Sequence, residues 1–337
     1  MAERLRLGIV GAGAVTQVGH LPALKRVKEI EVVGICDTDL PKARALADRF
    51  GIPDAYTDIE ELVEYEEELD ALLICTPSHL HESHIQAALA SGLHVFVERP
   101  LALTSAGAQK LVKAAQRHER VLMIGANHRY RPDVQQIRSF VQSGELGDLE
   151  SIRAWWFMAR GERTGLGWRQ KKELAGGGAM LDLGLGMLDL SLWLASFAAP
   201  ERVMAIFPDR GREKGVEPSG TAMIALVGGV SVHLDVSWRF VGPGERFGLA
   251  VRAAKGSARI NPLAIWKDFH GVAQDVVSSG AHSRETPFAL GVRAQWAHFV
   301  AAVRGESPAP SLQEQVTLLQ LMEAIYESAE QGKAVSL

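Results

Sequence analysis

Residues 5–16 read LRLGIVGAGAVT. Leu5, Leu7, Ile9 and Val10 make a short apolar run that stops at Gly11 and Gly13, and helix-forming residues resume after them. That is the pattern of a strand, a tight turn and a helix start. Glycine at the two turn positions allows a bend without a Cβ. It also lets a pyrophosphate approach the backbone, where free N–H groups and the positive end of the helix attract it. Gly11, Gly13, Ala14, Val15 and Thr16 are therefore candidate ligand-binding residues. Thr16 stands where the third glycine of G-x-G-x-x-G falls, and it is small enough for the helix to pack close to the strand.

The next apolar run, EVVGICD at 31–37, ends in a carboxylate a little over 20 residues past the turn. That is where a dinucleotide-binding fold places the acid that accepts hydrogen bonds from the adenosine ribose. Asp37 would repel a 2′-phosphate, which favours NAD over NADP, while Lys42 and Arg44 close behind soften that preference.

The chain has 337 residues, long enough for two domains. A net charge of −4 gives no footprint for nucleic acid or an anionic membrane. The N-terminus MAERLRLGIV lacks the pattern of a signal peptide, and the apolar stretch at 179–199 carries Asp182 and Asp189, which argues against a membrane span. Cys36 and Cys75 sit at the ends of expected buried strands and read as reduced thiols of a cytoplasmic protein.

From the turn to residue 124, expected strands at 5–10, 31–36, 71–75, 93–97 and 121–124 alternate with helical patterns such as 41–50 and 81–90. This is a doubly wound parallel sheet, the Rossmann arrangement, with its ligand outside the carboxyl ends of the strands. After residue 125 the pattern changes to successive strands at 151–160, 202–207, 221–227, 230–240 and 247–254, with Val227-Gly228-Gly229-Val230 as a hairpin signal. Residues 230–240 alternate apolar and polar, as in a largely antiparallel sheet covered on one face, whose polar face serves as solvent surface or subunit interface. Helical patterns at 131–143 and 312–331 frame this part. The expected organisation is α/β: a Rossmann domain at 1–124 and an α/β domain with an open, largely antiparallel sheet at 125–337.

Several stretches fall in one order: GAGAVTQVGHLPAL from Gly11, ICDTD from Ile35, ICTPSHLHESHIQAALASGLHVFVERPLA from Ile74, NHRYRPD from Asn127, GELG from Gly144, WRQ from Trp168, and GGGAMLDLGLGMLDL from Gly176. As a set they resemble the Gfo/Idh/MocA family. The resemblance implies hydride transfer between nicotinamide C4 and a carbon bearing a hydroxyl or carbonyl, usually of a sugar or polyol. It also implies pairing of the C-terminal sheets in homodimers or homotetramers. Gly11, Gly13 and Thr16 would hold the pyrophosphate and Asp37 the adenosine ribose. Thr76, Pro77 and His81 would line the cofactor trough, Glu98 would contact the nicotinamide ribose, and Trp168 with Arg169 would lie beside the nicotinamide. Asp182 matches the family's active-site aspartate.

Two positions depart from that pattern. The family's E-K-P is Glu98-Arg99-Pro100 here, and its D-x-G-x-H-x-x-D runs from Asp182 to Asp189 with Gly186 in place of histidine. Oxidising an alcohol releases a proton along with the hydride. Arg99 can polarise an oxygen, yet with a pKa above about 12 it is a poor proton carrier, and Gly186 offers nothing. Arg99, Asp182 and His128 are the catalytic candidates, and Asn127, Arg129, Asp182 and Asp189 the candidate substrate contacts. Each has a plainer reading: a structural acceptor for Asp182, a domain-junction hydrogen bond for His128. His270 and His282, in an expected long loop between Asp268 and Pro287, read as surface residues. His79, His81 and His84 lack accompanying carboxylates or cysteines at ligand spacing, so no metal is expected. Three functions stay open: an NAD-dependent oxidoreductase of sugar-like or cyclitol-like substrates with an altered acid/base set, a non-catalytic NAD(H)-binding sensor or scaffold, and a reductase of an already protonated C=N.

Overall fold

The computed structural model describes residues 4–66, 68–160, 167–208, 215–277 and 285–337. His282 lies outside them. The chain forms two compact units. The first comprises Met1–Tyr130 and Thr286–Val316, and the second Arg131–Glu285 and Thr317–Leu337. The division is thus discontinuous, where the sequence reading set a single boundary at 124/125.

The first unit holds a six-stranded sheet of β1 (Leu5–Val10), β2 (Ile30–Cys36), β3 (Asp54–Tyr56), β4 (Ala71–Ile74), β5 (His94–Val97) and β6 (Leu122–Ile124), all parallel, in the order β3-β2-β1-β4-β5-β6. Helices α1 (Leu21–Leu24), α2 (Leu40–Phe50), α3 (Ile59–Tyr65), α4 (His81–Ala90) and α5 (Ser105–His118) supply the crossovers. Strand order reverses between β1 and β4, so the loops after these two strands flank the switch point where such sheets bind ligands. Both strands are almost wholly buried, as expected for a sheet covered on both faces. Asp39 caps α2 by accepting from the Lys42 amide, and α2 ends at Gly51 in the left-handed conformation. A late helix, α9 (Pro287–Val303), returns to this unit and buries Val292, Trp296, Phe299 and Val300 in its core.

The second unit begins with α6 (Pro132–Gln142) and is built on a nine-stranded mixed sheet. The strands are β7 (Leu149–Ala159), β8 (Pro200–Ile206), β9 (Ser219–Leu226), β10 (Ser231–Phe240), β11 (Arg246–Ala253), β12 (Gly256–Arg259), β13 (Ala264–Phe269), β14 (Val272–Asp275) and β15 (Val335–Ser336). Their order is β14-β13-β12-β11-β7-β10-β9-β8-β15, and only the β7/β10 pair is parallel. The expected turn between β9 and β10 is present, with Gly228 and Gly229 at φ +88° and +81°. The loop expected between Asp268 and Pro287 is in part the β13/β14 hairpin, whose turn contains His270. Short polar edge strands carry too little periodicity to stand out from a loop.

One face of this sheet is covered by α8 (Leu185–Leu194), preceded by a short α7 (Lys172–Ala175), and by α10 (Leu312–Gln331). The stretch Lys172–Leu194 is long and apolar enough to cross a membrane, and most of it is buried inside this unit as a core helix. Within it, Glu217 holds the amides at the start of the helical turn Met180–Gly184 that leads into α8. The Glu217 carboxylate accepts from the Gly178 and Met180 amides at 3.0 and 2.9 Å and from the Tyr326 hydroxyl at 2.7 Å, and its carbonyl accepts from the Ala179 amide. A Cβ on Gly178 would lie 2.0 Å from the Glu217 carbonyl oxygen, so only glycine allows this approach. Burial pushes the Glu217 pKa up, against the pull of the Tyr326 hydroxyl and the amides. Glu217→Ala orphans these buried donors and is expected to cost about 3 kcal/mol. Glu217→Gln keeps an acceptor and should cost clearly less. Equilibrium denaturation of the two variants checks the ordering.

Candidate active site

In the first unit the site grows from the turn after β1. Gly11 has φ +103°, and a Cβ there would stand 2.8 Å from the carbonyl carbon and oxygen of Cys75, at the end of β4. The two switch-point loops thus touch backbone to backbone. The Thr16 hydroxyl donates to the Gly11 carbonyl at 2.7 Å, so the residue in the third glycine's place ties the helix start to the turn. Ala14 is exposed and Gly13 and Val15 partly so, and the amides of a helix's first turn have no intrahelical acceptor. This is an anion cradle open on the ligand side.

Asp37, at the end of β2, is held from three sides. It accepts from the Ala12 amide at 2.7 Å, the Asp39 amide at 3.0 Å and the Lys42 ammonium at 3.0 Å. Burial alone would raise its pKa, but the two amides and Lys42 outweigh it and hold the carboxyl below its usual range. Lys42 therefore binds the acid itself. Asp37→Ala should cut the preference for NAD over NADP by about tenfold or more, read by comparing Kd for NADH and NADPH; an unchanged ratio removes Asp37 from the discrimination.

Thr76 and Pro77 follow β4 and lead into a turn at Ser78–Leu80. The Thr76 hydroxyl bonds His84 Nδ1 at 3.2 Å. His81 is 1% exposed, with Nδ1 2.7 Å from the Pro100 carbonyl and Nε2 3.0 Å from that of Thr76. Burial lowers its pKa while the two carbonyls oppose that shift. Its side chain joins the two loops of the trough and leaves no nitrogen for a ligand. Glu98 follows β5, with its carboxylate against Gly125 and in contact with His20 and the Arg99 amide. Asn127 opens the turn after β6, and its Nδ2 is buried with no hydrogen-bond partner among the described residues. His128 is buried beside it, and Arg129 is buried in an ion pair with Glu314 at 2.6 Å. The pair engages Nη1 of this expected substrate contact.

In the second unit, Asp182 lies in the wide turn Met180–Gly184 that leads into α8. Its two oxygens accept from different donors, Arg169 Nε at 3.4 Å and Trp238 Nε1 at 3.1 Å. The Arg169 guanidinium also stacks over Trp168, 4.5 Å from the ring centre. The expected site residues Trp168, Arg169 and Asp182 therefore form one cluster, to which β10 adds Trp238. Trp238 was legible only as an inward-facing strand residue. Gly186 is buried in α8, and Asp189 is 7% exposed in the same helix.

A parallel sheet in this order, with a glycine cradle, a ribose-type acid and an orphaned buried amide at its carboxyl end, defines a dinucleotide-binding protein with a second, sheet-based unit. Residues 5–126 match the GFO/IDH/MocA oxidoreductase family with an NAD-binding Rossmann fold, and residues 134–259 match the C-terminal domain of that family. The chain is 28% identical to D-glucoside 3-dehydrogenase of Escherichia coli, over 99% of this chain and 97% of that one. It is 32% identical to a putative UDP-kanosamine synthase oxidoreductase subunit of Amycolatopsis mediterranei, over 69% and 68% of the two chains. Among solved structures, GenD2 from gentamicin A biosynthesis in complex with NAD superposes with a TM-score of 0.86 at 25% identity, covering 100% and 97%. Levoglucosan dehydrogenase in complex with NADH and levoglucosan shares the fold with a TM-score of 0.89 at 20% identity, covering 99% of each chain. This chain belongs to the GFO/IDH/MocA family of NAD-binding oxidoreductases.

Proposed function

We propose that this protein oxidises or reduces a sugar-, polyol- or cyclitol-like substrate with NAD, using an acid/base set in which Arg99 and Gly186 replace lysine and histidine. The observation that carries the cofactor half is the Gly11 cradle, where the chain leaves no room for a Cβ, together with Asp37 held as a carboxylate. The carbohydrate half is supported by relatives named for glucosides and nucleotide sugars. When bound, NAD supplies hydride acceptance and return at nicotinamide C4. The chain's own part is to hold the pyrophosphate at Gly11–Thr16 and the adenosine ribose at Asp37, and to present Glu98 to the nicotinamide ribose. Asp182, pinned at both oxygens by donors, binds or deprotonates a substrate hydroxyl. Arg99 contributes positive charge beside Glu98, and His128 is the reserve proton carrier.

The outward face of the second unit's sheet supports self-association into a homodimer or homotetramer: Met223 and Ile206 are 53% and 64% exposed there. Free Cys36 and Cys75 fit a reducing, cytoplasmic compartment. The test is NADH titration followed by a panel of aldoses, glucosides, inositols and their keto forms, read by nicotinamide absorbance. Turnover with a member of the panel supports the proposal. Tight NADH binding with no turnover, and a metabolite that shifts NADH affinity, transfers support to a sensor that lost catalysis with the lysine and histidine.

A further inference from the structure

Behind Glu98 lies a buried polar chain that the motifs do not account for. His20 ends the helical turn Thr16–His20 and is 1% exposed. Its Nε2 is 2.9 Å from Glu98 Oε1, and its Nδ1 is 3.1 Å from Nε1 of Trp296, which arrives on α9 from 276 residues away. An indole N–H donates and never accepts. Trp296 therefore faces a lone pair on His20 Nδ1, which in the neutral ring leaves the hydrogen on Nε2, pointing at Glu98; burial lowers the ring's pKa, but Cys75 and Glu98 outweigh it and raise it to about 10. Phe96 stacks on Trp296 at 4.4 Å between centroids and meets the His20 ring edge-on at 5.7 Å, so neither ring can turn without disturbing the aromatic core. The remaining sides of the carboxylate are also defined. Glu98 Oε2 accepts from the Arg99 amide at 3.3 Å, and a Cβ on Gly125 would come within 2.8 Å of Oε1.

A carboxylate whose orientation is set by a histidine, whose tautomer is in turn set by a tryptophan, is held for a purpose beyond filling the core. Packing alone would be met by an apolar side chain at lower desolvation cost. We propose that His20 and Trp296 are positioning residues that fix Glu98 for the redox half of the dinucleotide, the nicotinamide ribose. The inference rests on the cofactor reading given above. It divides the site into two parts: the adenosine half is held by elements adjacent in sequence, and the nicotinamide half depends on a helix contributed from the far end of the chain.

The experiment compares NADH with ADP, which lacks the nicotinamide ribose, as ligands of the full-length protein. Trp296→Phe keeps an aromatic ring against Phe96 and removes the N–H together with part of the indole volume, so its stability is measured alongside; His20→Ala removes the link. Each is expected to weaken NADH binding about tenfold, the scale of one hydrogen bond to a charged group, and to leave ADP affinity within about twofold. His20→Gln, which restores an N–H donor, should recover most of the loss. In a Glu98→Gln background, His20→Ala should have no further effect on NADH, because its action passes through that carboxylate. Equal losses for NADH and ADP, or fully additive losses in the double variant, would overturn the proposal. A wild-type protein that binds neither ligand would instead overturn the cofactor reading itself, and a Glu98→Gln variant with unchanged NADH affinity would overturn the contact between Glu98 and the ribose.

Discussion

Gly13→Ala is expected to weaken NADH binding by about 100-fold or more, equivalent to about 2.8 kcal/mol, while leaving the thermal midpoint unchanged. Gly13 and Gly11 differ in what surrounds them. At Gly13 an added Cβ meets nothing nearer than the Cys75 carbonyl oxygen at 3.9 Å, so the protein itself has room for it. What the methyl group obstructs is the ligand side of the turn, where the pyrophosphate must approach the backbone. Gly11→Ala fails differently. Its φ of +103° and the 2.8 Å approach to Cys75 mean that the backbone must shift, so that variant loses stability as well as affinity. Fluorescence titration with NADH and a thermal melt separate the two. Gly13→Ala that binds NADH normally would show that the phosphate does not lie over this turn.

Asp182→Asn is expected to lower kcat by about 10²- to 10⁴-fold, the usual contribution of a general acid or base, with NADH affinity unchanged within about twofold. Asp182 accepts from Arg169 at one oxygen and from Trp238 at the other, so asparagine can satisfy only one of those donors while losing the charge. Neither Gly186 nor Arg99 can carry the proton in its stead. A rise in KM with kcat intact would assign Asp182 to binding a hydroxyl, and identical kinetics would remove it from the chemistry.

Much of the first unit was legible because its strands are continuous buried apolar runs bounded by turn residues. The starts and ends of β1, β2 and β5 differ from expectation by a residue at most. Strand β3 was not, since Asp54–Tyr56 is three partly exposed residues with no period to detect. In the second unit the long strands β7 to β11 were legible from alternation, whereas β12 to β14 are short and lie toward the sheet edge, and their positions depend on pairing with a neighbour. Helix α9 was missed as an element, and with it Trp296. At the site, the glycine turn and Asp37 could be read directly. His81, expected in the trough, is buried between two carbonyls, a contact no local pattern signals. Arg129, an expected substrate contact, is ion-paired with Glu314, 185 residues away.

The difference follows from range. A strand, a glycine turn, a helix start and an acid at the next strand end are set by backbone preferences and hydrophobic period within some 30 residues, so the nucleotide-binding fold was determined locally. Which nitrogen of His20 carries hydrogen, which donors hold Asp182, and which amides Glu217 caps depend on partners 276, 13 to 56, and 37 to 39 residues away. Those pairings exist only once the hydrophobic cores have closed and desolvation favours a partner for each of these buried polar groups.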